Sequence, residues 1–238
     1  MKNIRLEGVA AVLAQSHKIV ITNHTQPDGD AMGSALGMMH ILQGMGKEAV
    51  VIVPNPYPNF LSHLPGNETV MVYSNGKKAA DRRIAEADLI VHLDYNALSR
   101  SAEMAPALAE ASAKKLMIDH HRDPEDWPDF LYSDTDMSST CQMVYEFCEQ
   151  FSLLGQLTKD SAECLYTGLV TDTGSFRFST TTARTHQVAA ALIDLGVEPH
   201  RSHELLFDSQ PAARLKLLGT MLEQMELSAD GTMCLLYL

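Results

Sequence analysis

The sequence predicts an α/β fold in which a mainly parallel sheet is flanked by helices. Along the first half of the chain, short apolar runs typical of buried strands alternate with longer segments of helical periodicity. The 238 residues, of which 45% are hydrophobic, are enough for one large domain or for two smaller ones with separate cores.

The first half of the chain is predicted to repeat strand and helix. The segment MKNIRLEGVAAVLAQSHK indicates an amphipathic helix, and it lacks the apolar core and cleavage site of a signal peptide. Four strands are then expected at HKIVIT, EAVVIV, DLIVHLD and KKLMID. The helices between them are expected over residues 29–45, 78–87 and 101–112.

The second half is predicted to be mainly helical. Helices are expected at residues 139–151 and 158–171, before the threonine-rich segment GSFRFSTTTARTHQ, where Thr182 suits a helix N-cap. Two more helices, at 199–207 and 211–225, precede a hairpin that turns at Asp230 and Gly231. We therefore divide the chain into a larger α/β domain at 1–185, including the start of the linker, and the beginning of a smaller α/β C-terminal domain at 186–238. Because one hairpin leaves open sheet edges, we expect this second domain to be incomplete.

The composition limits the classes of partner and compartment. With 18 basic and 30 acidic residues, a formal charge of -12, the protein is poorly suited to long duplex nucleic acid, which is bound mainly through its phosphates. No run of roughly 18 apolar residues occurs, so we expect a cytoplasmic protein that does not bind membranes. The four cysteines include no C-x-x-C pair, and we expect no disulfides.

Acids and histidines gather where predicted elements end in loops. They lie in the segments IVITNHTQPDGD, LIVHLDYN, KLMIDHHR and LYTGLVTDTGSF. Ligands of open α/β sheets bind outside the carboxyl ends of strands, so these side chains are expected to meet in one crevice. The residues expected to converge are His24, Asp28, Asp30, Asp94, Asp119, His120 and His121. Asp172 ends a helix, where the dipole disfavours an acid and a cation would compensate.

So many carboxylates in one place would repel each other strongly without a counterion, which favours a divalent metal. Mixed carboxylate and imidazole ligands suit Mn²⁺, with Mg²⁺, Zn²⁺ and Fe²⁺ as competitors, and the number of ligands favours two ions. Each motif alone has a simpler interpretation. Asp28-Gly29-Asp30 could be a turn with an N-cap, and Asp94 could cap the following segment. The combination favours the metal site.

Together, the motifs NHTQPDGDAMGS, VHLDYN, IDHHR and GLVTDTGSF resemble the DHH phosphoesterase family, and most nearly its bacterial nano-RNase and 3′,5′-bisphosphate nucleotidase (oligoribonuclease) branch. The resemblance implies two Mn²⁺ ions, with Mg²⁺ as an alternative, bridged by one shared aspartate. The implied ligands are His24, Asp28 and Asp94 for one ion, and Asp30, Asp94, His120 and Asp172 for the other. Asp119 would orient His120 without binding metal.

The resemblance also places His121 and Arg122 beside the scissile phosphate. His121 could protonate the leaving oxygen or stabilise the transition state. Arg122 could bind phosphate, with a solvated surface arginine as the alternative.

Four further residues are candidates for supporting roles. Ser34, in the helix that follows Gly29, could contribute to an anion site. Phe176 and Arg177 could stack a base and hold a phosphate, with hinge packing as the alternative. His92 shares a strand face with Asp94 and could support the site from behind, unless it is a core histidine.

We therefore expect a dimetal phosphoesterase that hydrolyses short single-stranded RNA or DNA, above all oligoribonucleotides, and nucleoside 3′,5′-bisphosphates, through a hydroxide held between the metals. The alternatives are a manganese inorganic pyrophosphatase, a cyclic-dinucleotide phosphodiesterase, and a metal-dependent binding module without turnover. The oligomeric state, including a homodimer, stays open.

Overall fold

The computed structural model describes residues 2–209 and 211–236. They form two compact units, the first ending at Ser202 and the second beginning at His203. Within the described residues, no helix combines the length and apolar character that a membrane crossing requires. All four cysteines are free thiols, as predicted.

A seven-stranded sheet lies at the centre of the first unit. Its strands are β1 (Lys2–Arg5), β2 (Lys18–Thr22), β3 (Glu48–Val53), β4 (Met71–Val72), β5 (Leu89–Leu93), β6 (Lys114–Asp119) and β7 (Phe130–Asp134). They are arranged in the order β1-β7-β6-β5-β2-β3-β4. Only the pair β1 and β7 is antiparallel, and every other neighbouring pair is parallel. The predicted mainly parallel α/β sheet is confirmed.

Helices alternate with most strands along the first half of the chain, and the chain after β7 is helical up to the C-terminal hairpin, as predicted. They are α1 (Val9–Gln15), α2 (Gly29–Gly44), α3 (Tyr73–Ala85), α4 (Ala105–Glu110), α5 (Thr140–Gln150), α6 (Lys159–Asp172), α7 (Ala183–Asp194), α8 (Pro199–His203) and α9 (Ala212–Glu223). Short 3₁₀ segments occupy Asn59–Leu61, Asn67–Thr69, Leu98–Met104 and Leu154–Gln156, and a π-helical turn occupies Glu204–Asp208. Thr182 caps α7 as expected, because its side chain accepts a hydrogen bond from the N–H of Thr185.

The central strands are buried on both faces, which explains their continuous apolar composition. Every residue of β5 is buried, and so is every residue of β2 after Lys18. On one face, Ile84 of α3 and Leu108 of α4 join a cluster with Val20 and Ile90 of the sheet.

Helices α2 and α6 approach each other closely through glycine. A Cβ atom at Gly33 would lie 2.5 Å from the carbonyl oxygen of Cys164, too close for any side chain. This contact joins two helices. It fixes the start of the second turn of α2 beside the middle of α6.

Two local predictions were wrong. The N-terminal segment is not one helix but the strand β1 and the short helix α1, separated at Gly8, which has a left-handed φ of 83°. Strand β7 was missed because only the first three residues of its sequence FLYSD are apolar, and because it directly follows a loop rich in prolines and acids.

The second unit contains α9 and a two-stranded antiparallel hairpin, β8 (Glu226–Leu227) with β9 (Cys234–Leu235). The predicted hairpin around Asp230 and Gly231 is confirmed. Helix α7 belongs to the first unit and packs against α6. The predicted domain boundary between residues 185 and 186 therefore differs from the boundary of the compact units, which lies between Ser202 and His203. The predicted division into domains stays a prediction.

Candidate metal centre

Three neighbouring parallel strands deliver the site residues to one edge of the sheet. His24 follows β2, Asp94 follows β5, and His120 follows β6. Because β2, β5 and β6 are adjacent and parallel, their carboxyl ends lie together. The N-terminus of α2 adds Asp28 and Asp30, and the C-terminus of α6 adds Asp172. We call these six residues, His24, Asp28, Asp30, Asp94, His120 and Asp172, the metal centre.

The first group of potential ligands consists of His24, Asp28 and Asp94, whose ligand atoms lie within 4.8 Å of one another. His24 Nε2 lies 3.4 Å from Asp94 Oδ2 and 4.0 Å from Asp28 Oδ1. The other ring nitrogen, Nδ1, lies 2.7 Å from the carbonyl oxygen of Thr25. This contact makes Nδ1 the donor and leaves the Nε2 lone pair free to bind a cation.

The second group surrounds His120. Its Nε2 atom lies 3.3 Å from Asp172 Oδ2, 3.4 Å from Asp94 Oδ1 and 3.8 Å from Asp30 Oδ2. Asp94 belongs to both groups, since its Oδ2 faces His24 and its Oδ1 faces His120. Asp94 has a left-handed backbone with φ 64°, a conformation that aspartate tolerates better than most residues.

The carboxylates of the metal centre lie so close together that a nearby positive charge would stabilise them. Burial raises the pKa of Asp30 well above its usual value, and the charges of Asp94 and Asp172 raise it further. Burial and Asp94 likewise raise the pKa of Asp172 to about 7. Although burial disfavours the imidazolium form, the hydrogen bond to Asp94 and the charges of Asp30 and Asp94 raise the pKa of His120 to about 10. When no other cation is near, the crowded carboxylates and His120 therefore hold protons more tightly than usual.

The donor set fits a divalent metal. Four carboxylates and two imidazoles face each other, and among the described residues no lysine or arginine forms an ion pair with any of the four acids. Carboxylate oxygens together with imidazole nitrogens suit Mn²⁺ and related ions. The arrangement can therefore hold one cation in each group, with Asp94 shared.

The prediction that Asp119 orients His120 was wrong. Asp119 Oδ1 lies 2.7 Å from Nδ1 of His121, whereas Nδ1 of His120 lies 3.4 Å from the carbonyl oxygen of Met137. Side chains two residues apart lie on the same side of an extended chain, so Asp119 at the end of β6 reaches His121 and not its direct neighbour. Asp119 orients the histidine that faces outward.

His92 lies in the core. Its Nδ1 contacts the hydroxyl of Tyr95, and its ring packs edge-on against Trp127 with centroids 4.5 Å apart. Burial lowers its pKa to about 3. In the part of the chain that the structure describes, no hydrogen bond joins His92 to the metal centre, which matches the core alternative.

The other candidates differ in accessibility. Ser34 is fully buried and its hydroxyl donates to the carbonyl oxygen of Ala31, so its side chain does not face solvent. Phe176 is half-buried and stacks on His186 with ring centroids 5.1 Å apart. Arg122 and Arg177 are exposed, and Arg177 Nε donates to the carbonyl oxygen of Gly174 at 2.7 Å.

The segment that enters α5 also contacts the metal centre, which was not predicted. The backbone N–H groups of Thr140 and Cys141 donate to Asp30, and the hydroxyl of Thr140 donates to Asp94. The signal available was the run of hydroxyl residues Ser138, Ser139 and Thr140 before a predicted helix. Such a run is typical of a helix N-cap and does not reveal a contact with the metal centre.

The chain is similar to several known proteins. It is 32% identical over 229 residues to the bifunctional oligoribonuclease and PAP phosphatase NrnA of Thermus thermophilus, covering 95% of this chain and 65% of that one. The protein of the same name from Bacillus subtilis is 30% identical, with 90% and 64% covered. This chain thus spans slightly less than two thirds of the length of these relatives.

A solved structure shares the fold at high similarity. The exopolyphosphatase-related protein from Bacteroides fragilis has a TM-score of 0.95 and 35% identity, and the match covers 98% of this chain and 68% of that chain. Residues 18–169, which include five of the six residues of the metal centre, match the DHH family, N-terminal domain. On the strength of this match and of its relatives, the protein belongs to the DHH family.

Proposed function

We propose that this protein is a metal-dependent phosphoesterase that hydrolyses short oligoribonucleotides, nucleoside 3′,5′-bisphosphates, or both. The observation that carries the proposal is the sharing of Asp94 between two groups of ligands, since its two oxygens face His24 and His120 at 3.4 Å each. Two metal ions joined by one carboxylate are a recurrent arrangement for phosphoester hydrolysis.

The relatives support the choice of substrate. Two of them are named as oligoribonucleases and PAP phosphatases, and their similarity extends over 95% and 90% of this chain. In this proposal, residues 1–185 form the catalytic domain and residues 186–238 belong to a C-terminal substrate domain.

The metal centre would hold two Mn²⁺ ions, with Mg²⁺ as an alternative. His24, Asp28 and Asp94 would bind one, and Asp30, Asp94, His120 and Asp172 the other. When bound, such ions activate water for attack and neutralise charge on the phosphoryl oxygens. The protein holds these ligands on the rigid ends of strands and helices, so their positions need little adjustment on binding.

His121 and Arg122 would act on the substrate itself. Because Asp119 accepts a hydrogen bond from His121 Nδ1, the other nitrogen, Nε2, is free to face the phosphate. From there His121 would donate a proton to the leaving oxygen. The exposed Arg122 follows directly in the chain and would bind a phosphoryl oxygen through its guanidinium.

Substrates would be short and single-stranded. With a formal charge of -12, the chain has few cations to follow a long phosphate backbone. Binding would therefore depend on the metal centre, Arg122 and Arg177, which together meet only one or two phosphates. Long duplexes would gain no further contacts.

A substrate panel tests this proposal. The protein with Mn²⁺ would be incubated with a ribodinucleotide, adenosine 3′,5′-bisphosphate, cyclic di-AMP and pyrophosphate. We expect mononucleotides from the first and inorganic phosphate from the second, at higher kcat/KM than for the other two. Turnover confined to cyclic di-AMP or pyrophosphate would favour the corresponding alternative enzyme, and bound metal without any turnover would favour a binding module.

A further inference from the structure

The first turn of α5 contacts two carboxylates of the metal centre at once. The backbone N–H of Thr140 donates to Asp30 Oδ2 at 2.6 Å, and that of Cys141 donates to Asp30 Oδ1 at 2.9 Å. The hydroxyl of Thr140 donates to Asp94 Oδ1 at 3.0 Å. Thr140 thus binds one acid through its backbone and the other through its side chain.

These hydrogen bonds offset the free-energy cost of burying the carboxylates of Asp30 and Asp94. Asp30 is 0% exposed and Asp94 is 2% exposed, so both carboxylates are shielded from bulk solvent. The free N–H groups at the start of α5 satisfy both oxygens of Asp30 and place it at the positive end of the helix dipole. Because each oxygen has its own donor, the plane of the carboxylate is fixed.

The hydroxyl of Thr140 acts on the shared acid. Asp94 must keep Oδ2 toward His24 and Oδ1 toward His120, and rotation about its Cβ–Cγ bond would disturb both directions at once. A donor at Oδ1 takes one lone pair and leaves another for a cation on the His120 side. We propose that Thr140 is a positioning residue, which holds Asp94 in the orientation that serves both groups of ligands.

This role is distinct from helix capping. The N-cap of α5 is Ser139, whose side-chain oxygen accepts the N–H of Gln142 at 3.0 Å. The hydroxyl of Thr140 is therefore not needed to begin the helix, and its partner lies 46 residues away in sequence. The inference rests on the proposed metal-dependent function, but it concerns metal binding and can be tested without a substrate.

The test measures Mn²⁺ affinity of metal-free variants by titration, with free Mn²⁺ followed by electron paramagnetic resonance. Thr140→Val removes the hydroxyl and keeps the size and the backbone N–H, whereas Thr140→Ser keeps the hydroxyl. Thr167→Val is the matched control, because Thr167 is equally buried and its hydroxyl donates only to a carbonyl oxygen of its own helix, that of Glu163. Circular dichroism reports folding, and Thr140→Ala replaces the valine variant if that one does not fold.

We expect Thr140→Val to bind Mn²⁺ about 10- to 100-fold more weakly than the wild type, as is usual when a hydrogen bond to a metal ligand is lost. Thr140→Ser and Thr167→Val should stay close to the wild type, and excess Mn²⁺ should restore most of any hydrolysis by the valine variant. Equal affinities of Thr140→Val and Thr167→Val would overturn the inference. A wild type that binds Mn²⁺ but hydrolyses no phosphoester would instead refute the proposed function and leave the role of Thr140 standing.

Discussion

Asp119 and His121 form a close pair at the mouth of the metal centre, with 2.7 Å between Asp119 Oδ1 and His121 Nδ1. Asp119 is completely buried, whereas His121 is about one-third exposed. The buried carboxylate thus fixes the ring of a histidine that reaches solvent. Its neighbour His120 turns Nε2 toward three carboxylates instead. Both histidines lie near Asp94, since His121 Nδ1 is 3.7 Å from Asp94 Oδ1, but their nearest partners differ and we expect them to have different functions.

Substitution of the two histidines should separate these functions. His120→Ala should weaken metal binding, because it removes the imidazole whose Nε2 lies 3.8 Å from Asp30 Oδ2 and 3.3 Å from Asp172 Oδ2. His121→Ala should retain the metal and lower kcat by about 100-fold or more, as expected for loss of a proton donor. Elemental analysis and steady-state kinetics on a ribodinucleotide distinguish the two defects. Equal loss of metal in both variants would show that His121 is a ligand.

Removal of the shared carboxylate should have the largest effect on metal content. Asp94→Ala should lose most of the bound Mn²⁺ and essentially all hydrolysis, since the two oxygens of Asp94 face His24 and His120, one in each group of ligands. Asp126→Ala is a suitable control, because Asp126 is an exposed acid that pairs with Arg5. Metal per chain is measured after gel filtration. If Asp94→Ala kept two Mn²⁺ ions and normal turnover, the bridging assignment would be wrong.

The metal-free protein should become less stable as the pH rises. The folded-state pKa is about 10 for His120 and about 7 for Asp172, compared with ordinary values of 6.5 and 3.8. Both groups hold protons more tightly when folded, so their stabilisation is complete below the ordinary values and is lost as the pH passes the folded ones. The free energy of unfolding in the presence of a chelator should therefore fall from about pH 5 to pH 9. Urea titrations at each pH measure this free energy of unfolding.

Two comparisons make this pH test specific. Saturating Mn²⁺ should flatten the profile, because the ligands are then held deprotonated by the metal. The variant Asp172→Asn should lose the part of the slope that lies below about pH 7, since the amide does not titrate. A metal-free wild type whose stability rose over this range would contradict the assignment.

The dependence of kcat/KM on substrate length should be opposite to that of a processive nuclease. Because cations near the metal centre can meet only one or two phosphates, additional nucleotides should add little affinity. We expect kcat/KM to be highest for substrates of about two to five nucleotides and lower for a 24-mer. Kinetics on a length series with Mn²⁺ measure this. Faster cleavage of the 24-mer than of the dimer would contradict the short-substrate proposal.

The sequence predicted the site best where a local pattern, an apolar run followed by a polar residue, recurs in several parallel strands. His24, Asp94 and His120 each follow an apolar run, and parallel strands must bring such positions to one edge of the sheet. The convergence of the metal centre could therefore be predicted without knowing the strand order. The hydroxyl side chain of Thr182 before a helical pattern was equally informative about the start of α7.

The sequence was least informative where a contact depends on orientation. Asp119 has two histidines next to it in sequence, and only the direction of each side chain at the end of β6 decides which one it reaches. Ser34 lies in a helix that is buried on nearly all sides, so periodicity does not reveal which residues face the site. Thr140 and Asp30 are 110 residues apart, and no local pattern indicates their hydrogen bond.

All six residues of the metal centre lie between His24 and Asp172, within the first compact unit. The part of the chain beyond Ser202 contributes none of them. Substitutions there leave the six residues of the metal centre unaltered. Under the proposed function, the choice of substrate could then diverge among related enzymes while the residues that bind the metals are inherited unchanged.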